Sequence, residues 1–230
     1  MEDDGRDHLV HRTCSLRNRA SPQGRTIISD AKPLPFGPIG PRCFHLCVDM
    51  QKVFAEDTSW HTPWMGRIRP LVARLGEYRP ERTIFTRFLP PERPEAMRGT
   101  WRRYYKRWSD VVQNWQERGI FDLLPEFAAL VPPGRVLDKL TYSPWVEPTL
   151  AQLLEAEKSD TLIISGAETD VCVLAAVLGA VDRGYRVIIP SDAICSSSDR
   201  THDALMQLYH ERFGQQIETA SAEEIIAAWR

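Results

Sequence analysis

The chain has 230 residues, which is enough for one sizeable domain or at most two small ones. Hydrophobic residues make up 43% and charged residues 26%, as in an ordinary globular protein, and the net charge of −2 gives no reason to expect nucleic acid or an acidic membrane surface as a partner. The longest apolar run is too short to span a bilayer, the N-terminal residues lack the pattern of a secretory signal, and the five irregularly spaced cysteines fit a reducing cytoplasm.

The N-terminal part of the chain shows no regular periodicity. Residues 1–31 are polar, and the prolines and glycines of residues 32–42 exclude regular structure. We therefore expect residues 1–42 to be a loose extension that precedes a domain over residues 43–230. This domain opens with an apolar run that predicts a buried strand ending at Asp49.

Strand-like and helix-like segments alternate after that first strand. The further strands are expected at 82–88, 135–139, 161–166, 185–190 and about 216–219. The helices are expected at 64–78, 147–157, 170–183, 199–213 and 221–229. Ser221 and Glu224 stand at the positions of a capping box for the last helix. This alternation predicts an α/β fold with a mostly parallel sheet covered by helices on both faces.

Three chemically useful side chains are expected at one edge of that sheet. Asp49 ends the first strand, Lys139 ends the third, and Cys172 follows the fourth. Because ligands of parallel sheets bind beyond the carboxyl ends of the strands, these side chains are predicted to converge. A helix N-terminus and an ammonium group stabilise a thiolate, and a carboxylate can pass the thiol proton to a leaving amine. The set indicates acyl transfer to sulfur, followed by hydrolysis of the thioester.

Each of these residues also has an ordinary explanation. Cysteine is a common core residue, an aspartate at a strand end often caps a turn, and most lysines are solvated. The tight turn GAETD ahead of Cys172 favours the catalytic interpretation, because its backbone N–H groups would point at an incoming carbonyl.

Three segments of the domain resemble a known family. They are LCVDMQKVF at 46–54, LDKLTYSPW at 137–145, and SGAETDVCVLAAVLGAVDRGYRVIIPSDA at 165–193. In this order they are similar to the isochorismatase-like cysteine hydrolase superfamily, which includes isochorismatases, nicotinamidases and N-carbamoylsarcosine amidohydrolases. The resemblance covers about residues 43–230. It implies a three-layer α/β/α sandwich around a mostly parallel six-stranded sheet.

The resemblance also implies roles for individual residues. It makes Asp49, Lys139 and Cys172 a catalytic triad. It implies a cis peptide bond between Ala167 and Glu168, and an oxyanion hole formed by the N–H groups of Glu168 and Cys172. No metal and no cofactor are expected, because the Asp-x-His of metal-dependent nicotinamidases is replaced by FTRFLPPERPEAM.

A substrate pocket lined by aromatic side chains follows from the same resemblance. Its expected substrate-binding residues are Phe54, Trp60, Tyr142 and Trp145. These rings favour a flat or apolar substrate moiety over a bare urea. The alternative is that they fill the core or a subunit contact.

A segment at 98–119 combines basic residues with aromatic ones. Trp101, Tyr104, Tyr105 and Trp108 fall at i, i+3, i+4 and i+7, which places them in one stripe along a helix that Trp115 continues. We expect this stripe to pack on the domain or in a subunit interface rather than on nucleic acid. Partial closure of the pocket, with an arginine that binds a substrate carboxylate, is a further alternative.

The sequence therefore predicts a cysteine hydrolase that cleaves a C–N bond of a small amide, ureide or carbamoyl compound. We expect a cytoplasmic homo-oligomer, a dimer or tetramer by the resemblance, with a small-molecule substrate and with neither nucleic acid nor membrane as partner. One alternative is a vinyl-ether hydrolase of the isochorismatase type, which does not require a thiol nucleophile. The other is a non-catalytic binding or assembly protein.

Overall fold

Seven parallel strands form the central sheet in the computed structural model, which describes residues 34–113 and 118–230. The strand order is β3-β2-β1-β4-β5-β7, and β6 pairs with β4. The strands are β1 Cys43–Val48, β2 Thr83–Phe88, β3 Arg135–Lys139, β4 Thr161–Ala167, β5 Arg186–Pro190, β6 Ile194–Cys195 and β7 Ile217–Ala220. The predicted parallel sheet is confirmed, with the two-residue β6 as an additional strand.

Helices connect these strands in the described part of the chain. They are α1 Lys52–Ala55, α2 Met65–Tyr78, α3 Gly99–Arg107, α4 Ser109–Gln113, α5 Pro125–Ala128, α6 Pro148–Ala156, α7 Leu174–Asp182, α8 Asp199–Arg212 and α9 Ala222–Ala228. The capping box of α9 is confirmed, since Ser221 and Glu224 exchange both side chain to backbone hydrogen bonds. No helix that the structure describes combines the length and the apolar character needed to cross a bilayer.

Two hydrophobic cores lie on opposite faces of the sheet. In β1, Phe44, Leu46 and Val48 face one core, while Cys43 and Cys47 face the other, because successive side chains of a strand alternate in direction. Helices α2, α5 and α9 supply residues to the core of Cys43, and α6, α7 and α8 supply residues to the core of Phe44. All residues of β1 are buried, as expected for a parallel strand covered on both faces. The predicted three-layer sandwich is therefore confirmed.

The residues just ahead of β1 pack against the domain. Ile39 is fully buried, and its backbone N–H donates to Ala228 O over 3.0 Å. The Phe36 N–H donates to Glu218 Oε2 over 2.9 Å. The packed part thus begins before Cys43, whereas residues 1–33 of the expected extension lie outside the described residues.

Candidate active site

The structure brings together the three side chains expected at one edge of the sheet. Asp49 follows β1, Lys139 is the last residue of β3, and Cys172 lies in the turn after β4. The Lys139 Nζ atom is 2.7 Å from Asp49 Oδ2 and 3.3 Å from Cys172 Sγ. The side chains of Lys139 and Asp49 are only 2% and 1% exposed, so this ion pair is shielded from water.

Asp49 is held by the neighbouring strand β2. Its φ of 52° lies in the left-handed region, which aspartate tolerates better than most residues do. The Thr86 hydroxyl accepts a hydrogen bond from the Asp49 N–H over 3.1 Å and donates one to Asp49 Oδ1. Oδ2 is thereby left to face Lys139. Sequence reasoning did not single out Thr86, because its contact with Asp49 depends on the pairing of β1 with β2.

The Lys139 ammonium group has three partners. Besides Asp49 and Cys172, it donates to Thr141 O over 3.3 Å, and it lies 4.8 Å from the centroid of the Phe88 ring. Burial, the largest single effect, lowers the pKa of Lys139, but the charges of Asp49 and Cys172 and the hydrogen bonds to both side chains together outweigh it, so the net pKa is raised. Lys139 is therefore a cation at neutral pH.

Cys172 lies in a single π-helical turn, Thr169–Val173, which leads into α7. The thiol is 5% exposed. Burial raises the pKa of the Cys172 thiol well above its ordinary value; Lys139 opposes this, while the charge of Asp49 and a hydrogen bond to its carboxylate add to it. Burial outweighs the cation that the sequence analysis expected to stabilise a thiolate, so the raised pKa favours the thiol form and leaves its proton for Asp49 to accept.

A cavity of about 280 Å³ opens above the thiol. Its walls are mainly aromatic, and the rings are those of Phe54, Trp60, Phe88, Tyr104, Trp108 and Tyr142. Trp60 is central to this wall, with its ring centroid 5.9 Å from Phe54 and 6.2 Å from Tyr104. Three of the four predicted pocket aromatics, Phe54, Trp60 and Tyr142, therefore line the cavity.

Trp145, the fourth predicted pocket residue, lies on the other face of the sheet. Its indole stacks on Tyr185 with the ring centroids 5.8 Å apart, and its Nε1 donates to Ala176 O over 2.8 Å. Gly179 makes this packing possible, because a Cβ atom there would come within 2.1 Å of the indole. The prediction is corrected for a simple reason: closeness to Tyr142 in sequence does not fix which face of the sheet a ring joins.

The aromatic stripe of the basic segment packs on the domain. Tyr105 is fully buried, with its ring stacked on Phe88 at 6.2 Å and its hydroxyl donating to Leu140 O. Tyr104 and Trp108 contribute to the cavity wall. Helix α3 ends at Arg107 and α4 follows at Ser109–Gln113, whereas Trp115, the expected end of the stripe, lies outside the described residues.

The turn between β4 and α7 carries a second acidic group. The peptide bond between Ala167 and Glu168 is cis. Glu168 Oε1 accepts hydrogen bonds from the Ser197 N–H over 3.0 Å and from the Thr62 hydroxyl over 3.4 Å, and the residue lines the cavity. Sequence reasoning considered only the backbone N–H of Glu168, so the position of its carboxylate in the cavity wall is new. No group of three or more His, Cys, Asp or Glu side chains that could hold a metal ion occurs among the described residues.

Parts of this chain are similar in sequence to known proteins. Residues 43–221 match the family model of the isochorismatase domain. Maleamate amidohydrolase of Pseudomonas putida is 25% identical over 134 residues, which are 57% of this chain and 59% of the relative. A secreted isochorismatase effector of Phytophthora sojae is 40% identical over 70 residues, 29% of this chain and 32% of the relative. The chain therefore matches less than two thirds of the length of either relative.

The fold is similar to that of a solved structure over a longer part of the chain. The crystal structure of a cysteine hydrolase from Pseudomonas syringae pv. phaseolicola superposes with a TM-score of 0.71 at 25% identity, covering 85% of this chain and 96% of that one. The family model, in turn, spans most of the chain and includes the Asp49, Lys139 and Cys172 positions. The chain belongs to the isochorismatase family.

Proposed function

We propose that the protein hydrolyses the C–N bond of a small amide, ureide or carbamoyl compound through a thioester on Cys172. The observation that carries this proposal is the contact set of Lys139, whose Nζ reaches both Asp49 Oδ2 at 2.7 Å and Cys172 Sγ at 3.3 Å beneath the cavity. A nucleophile, a proton acceptor and a cation in mutual contact are what acyl transfer to sulfur requires. The maleamate amidohydrolase relative, by its name, acts on an amide, which supports the same bond type.

The first half of the reaction forms the thioester. Because the resting sulfur is a thiol, attack requires a base, and Asp49 is the carboxylate in contact with the site. As sulfur bonds to the carbonyl carbon, the thiol proton moves to Asp49, and the negative charge on oxygen is held by the N–H groups of Glu168 and Cys172. The C–N bond then breaks, and Asp49 gives its proton to the leaving nitrogen.

The second half releases the acid. A water molecule attacks the thioester carbon and passes a proton to Asp49. The C–S bond breaks, the proton returns to the sulfur, and the carboxylic acid leaves. Lys139 stays charged throughout and holds the Asp49 carboxylate beside the sulfur.

Substitution of the thiol tests this proposal. Cys172→Ala and Cys172→Ser should abolish ammonia release from a panel of small amides, and mass spectrometry of the wild-type protein during turnover should detect an acyl adduct on Cys172. Cys43→Ala is the matched control, because Cys43 is a buried cysteine of β1 that does not line the cavity. Wild-type turnover by Cys172→Ala would rule the mechanism out.

The variant Cys172→Ala also separates the competing functions. A vinyl-ether hydrolase, to which the similarity with the secreted isochorismatase effector points, should keep its activity in this variant because it does not require a thiol nucleophile. The amide hydrolase should lose its activity. A non-catalytic binding protein should turn over no member of either substrate class.

A further inference from the structure

The charged groups around the cavity are unevenly distributed. Of the described residues that line it, none is a lysine or an arginine, whereas Glu168 supplies a carboxylate. The nearby charges of Lys139 and Asp49 offset each other in their ion pair. A bound substrate therefore meets aromatic rings, the imidazole of His61 and the acidic residue Glu168, which has no cationic partner among the described residues.

The Glu168 carboxylate is fixed in the wall by one of its two oxygens. Oε1 accepts hydrogen bonds from the Ser197 N–H and the Thr62 hydroxyl. Oε2 has no hydrogen-bond partner in the described ranges 34–113 and 118–230, so it is free to accept from a ligand. The negative charge of Glu168 also acts on Tyr142, which lines the same cavity. Burial raises the pKa of the Tyr142 hydroxyl, and the charge of Glu168 adds to that rise.

We propose that Glu168 selects substrates by charge, so that the protein acts on flat, neutral or cationic amides and discriminates against amides that bear a carboxylate. This inference rests on the amide hydrolysis proposed above. Aromatic walls accept a ring or a cation favourably. A carboxylate placed there would lose its hydration and face a like charge at short range. The free Oε2 would instead accept a hydrogen bond from an ammonium or N–H group of the substrate.

Two arginines of α3 could instead attract a substrate that carries a carboxylate. Arg103 and Arg107 line a separate groove that shares Tyr104 and Tyr142 with the cavity wall. Both arginines are exposed, so solvent and salt screen their charges. Only a substrate that extends past the two tyrosines would place a carboxylate beside them.

Three matched amides test the proposal. Benzamide, 4-carbamoylbenzoate and 4-(aminomethyl)benzamide share a scissile group and a ring but differ in the charge at the far end. We expect kcat/KM for ammonia release from the carboxylate to be at least about tenfold below that of benzamide, and the cationic amide to equal or exceed benzamide. Glu168→Gln keeps the acceptor for the Ser197 N–H and removes the charge. It should raise the ratio of anionic to cationic kcat/KM by about tenfold, whereas Arg103→Gln and Arg107→Gln should leave that ratio unchanged.

A binding measurement keeps the two proposals distinguishable. Protection of Cys172 from iodoacetamide by each amide should follow the same charge order and does not depend on turnover. Ammonia release with a preference for the carboxylate, or a ratio that Glu168→Gln does not change, overturns the charge selection and leaves the hydrolase proposal standing. Protection in the expected order without ammonia release counts against hydrolysis of these amides but supports the selection. Protection by none of the three overturns the selection, and the wild-type measurements suffice for this even if Glu168→Gln does not fold.

Discussion

Acidification is expected to destabilise the protein through His45, a histidine inside β1. The ring is fully buried; its Nε2 lies 2.7 Å from Ser165 Oγ, and its Nδ1 has no hydrogen-bond partner among the described residues. Burial lowers the pKa of His45 from 6.5 to about 3. Between these two values the unfolded chain binds a proton that the folded chain does not bind. The free energy of unfolding therefore falls as the pH is lowered through that window.

The size of this effect follows from the two pKa values. His45 should remove about 2 kcal/mol from the free energy of unfolding at pH 5, and the loss should approach about 5 kcal/mol below pH 3. At pH 7 the contribution is close to zero, because the imidazole is largely neutral in both states. Since a domain is stable by only about 5–15 kcal/mol, even the loss at pH 5 is measurable.

Urea unfolding of the wild type and of His45→Gln at pH 7 and pH 5 tests this prediction. Glutamine can still hydrogen-bond to Ser165 but does not titrate. The wild type should therefore lose about 2 kcal/mol more than the variant between the two pH values. His61→Gln serves as the control, because His61 is exposed and should leave the wild-type pH dependence intact. Equal losses in the wild type and His45→Gln would refute the reasoning.

Further substitutions have outcomes that the structure predicts. Lys139→Met should lower the free energy of unfolding by about 3–5 kcal/mol, because it leaves the buried Asp49 carboxylate without its cation. In urea unfolding, the double variant with Asp49→Asn should recover much of this loss. A double variant no more stable than Lys139→Met would contradict the prediction. Gly166→Ala should cost at least about 3 kcal/mol, because φ is +109° and a Cβ atom would lie 2.1 Å from a backbone carbonyl of β1. Gly40→Ala, with open space at its Cβ position, should change stability by less than about 1 kcal/mol, and similar thermal shifts for the two glycine variants would disprove the difference. Trp145→Phe should lower the free energy of unfolding by about 1–2 kcal/mol, because the indole hydrogen bond is lost, and it should leave KM unchanged. An altered KM would show that Trp145 contributes to substrate binding.

Sequence periodicity predicted the parts of the fold in which many residues act together. Each long strand and helix contains enough residues for its apolar pattern to emerge, and the rule for parallel sheets then places Asp49, Lys139 and Cys172 at one edge. The two-residue β6 and the four-residue helices α1 and α5 are too short to show any period. These short elements are stabilised by contacts with the rest of the domain rather than by a pattern of their own.

The finer features of the site depend on three-dimensional packing that a linear pattern does not contain. The orientation of Asp49 is set by Thr86, which is distant in the chain and recognisable only once β1 and β2 are adjacent. The raised pKa of the Cys172 thiol comes mainly from burial of the turn, which outweighs the opposing effect of the Lys139 cation. The position of Trp145 depends on the absence of a side chain at Gly179.

The depth of the sulfur below the ring-walled opening has a consequence for chemical labelling. Cys172 is 5% exposed at the base of a cavity of about 280 Å³, and other free cysteines of the chain, Cys43, Cys47 and Cys195, are also buried. Reagent bulk, rather than intrinsic electrophilicity, should therefore decide which covalent inhibitors reach the thiol. Compact warheads mounted on a single flat ring suit this opening, whereas dye-sized maleimides do not.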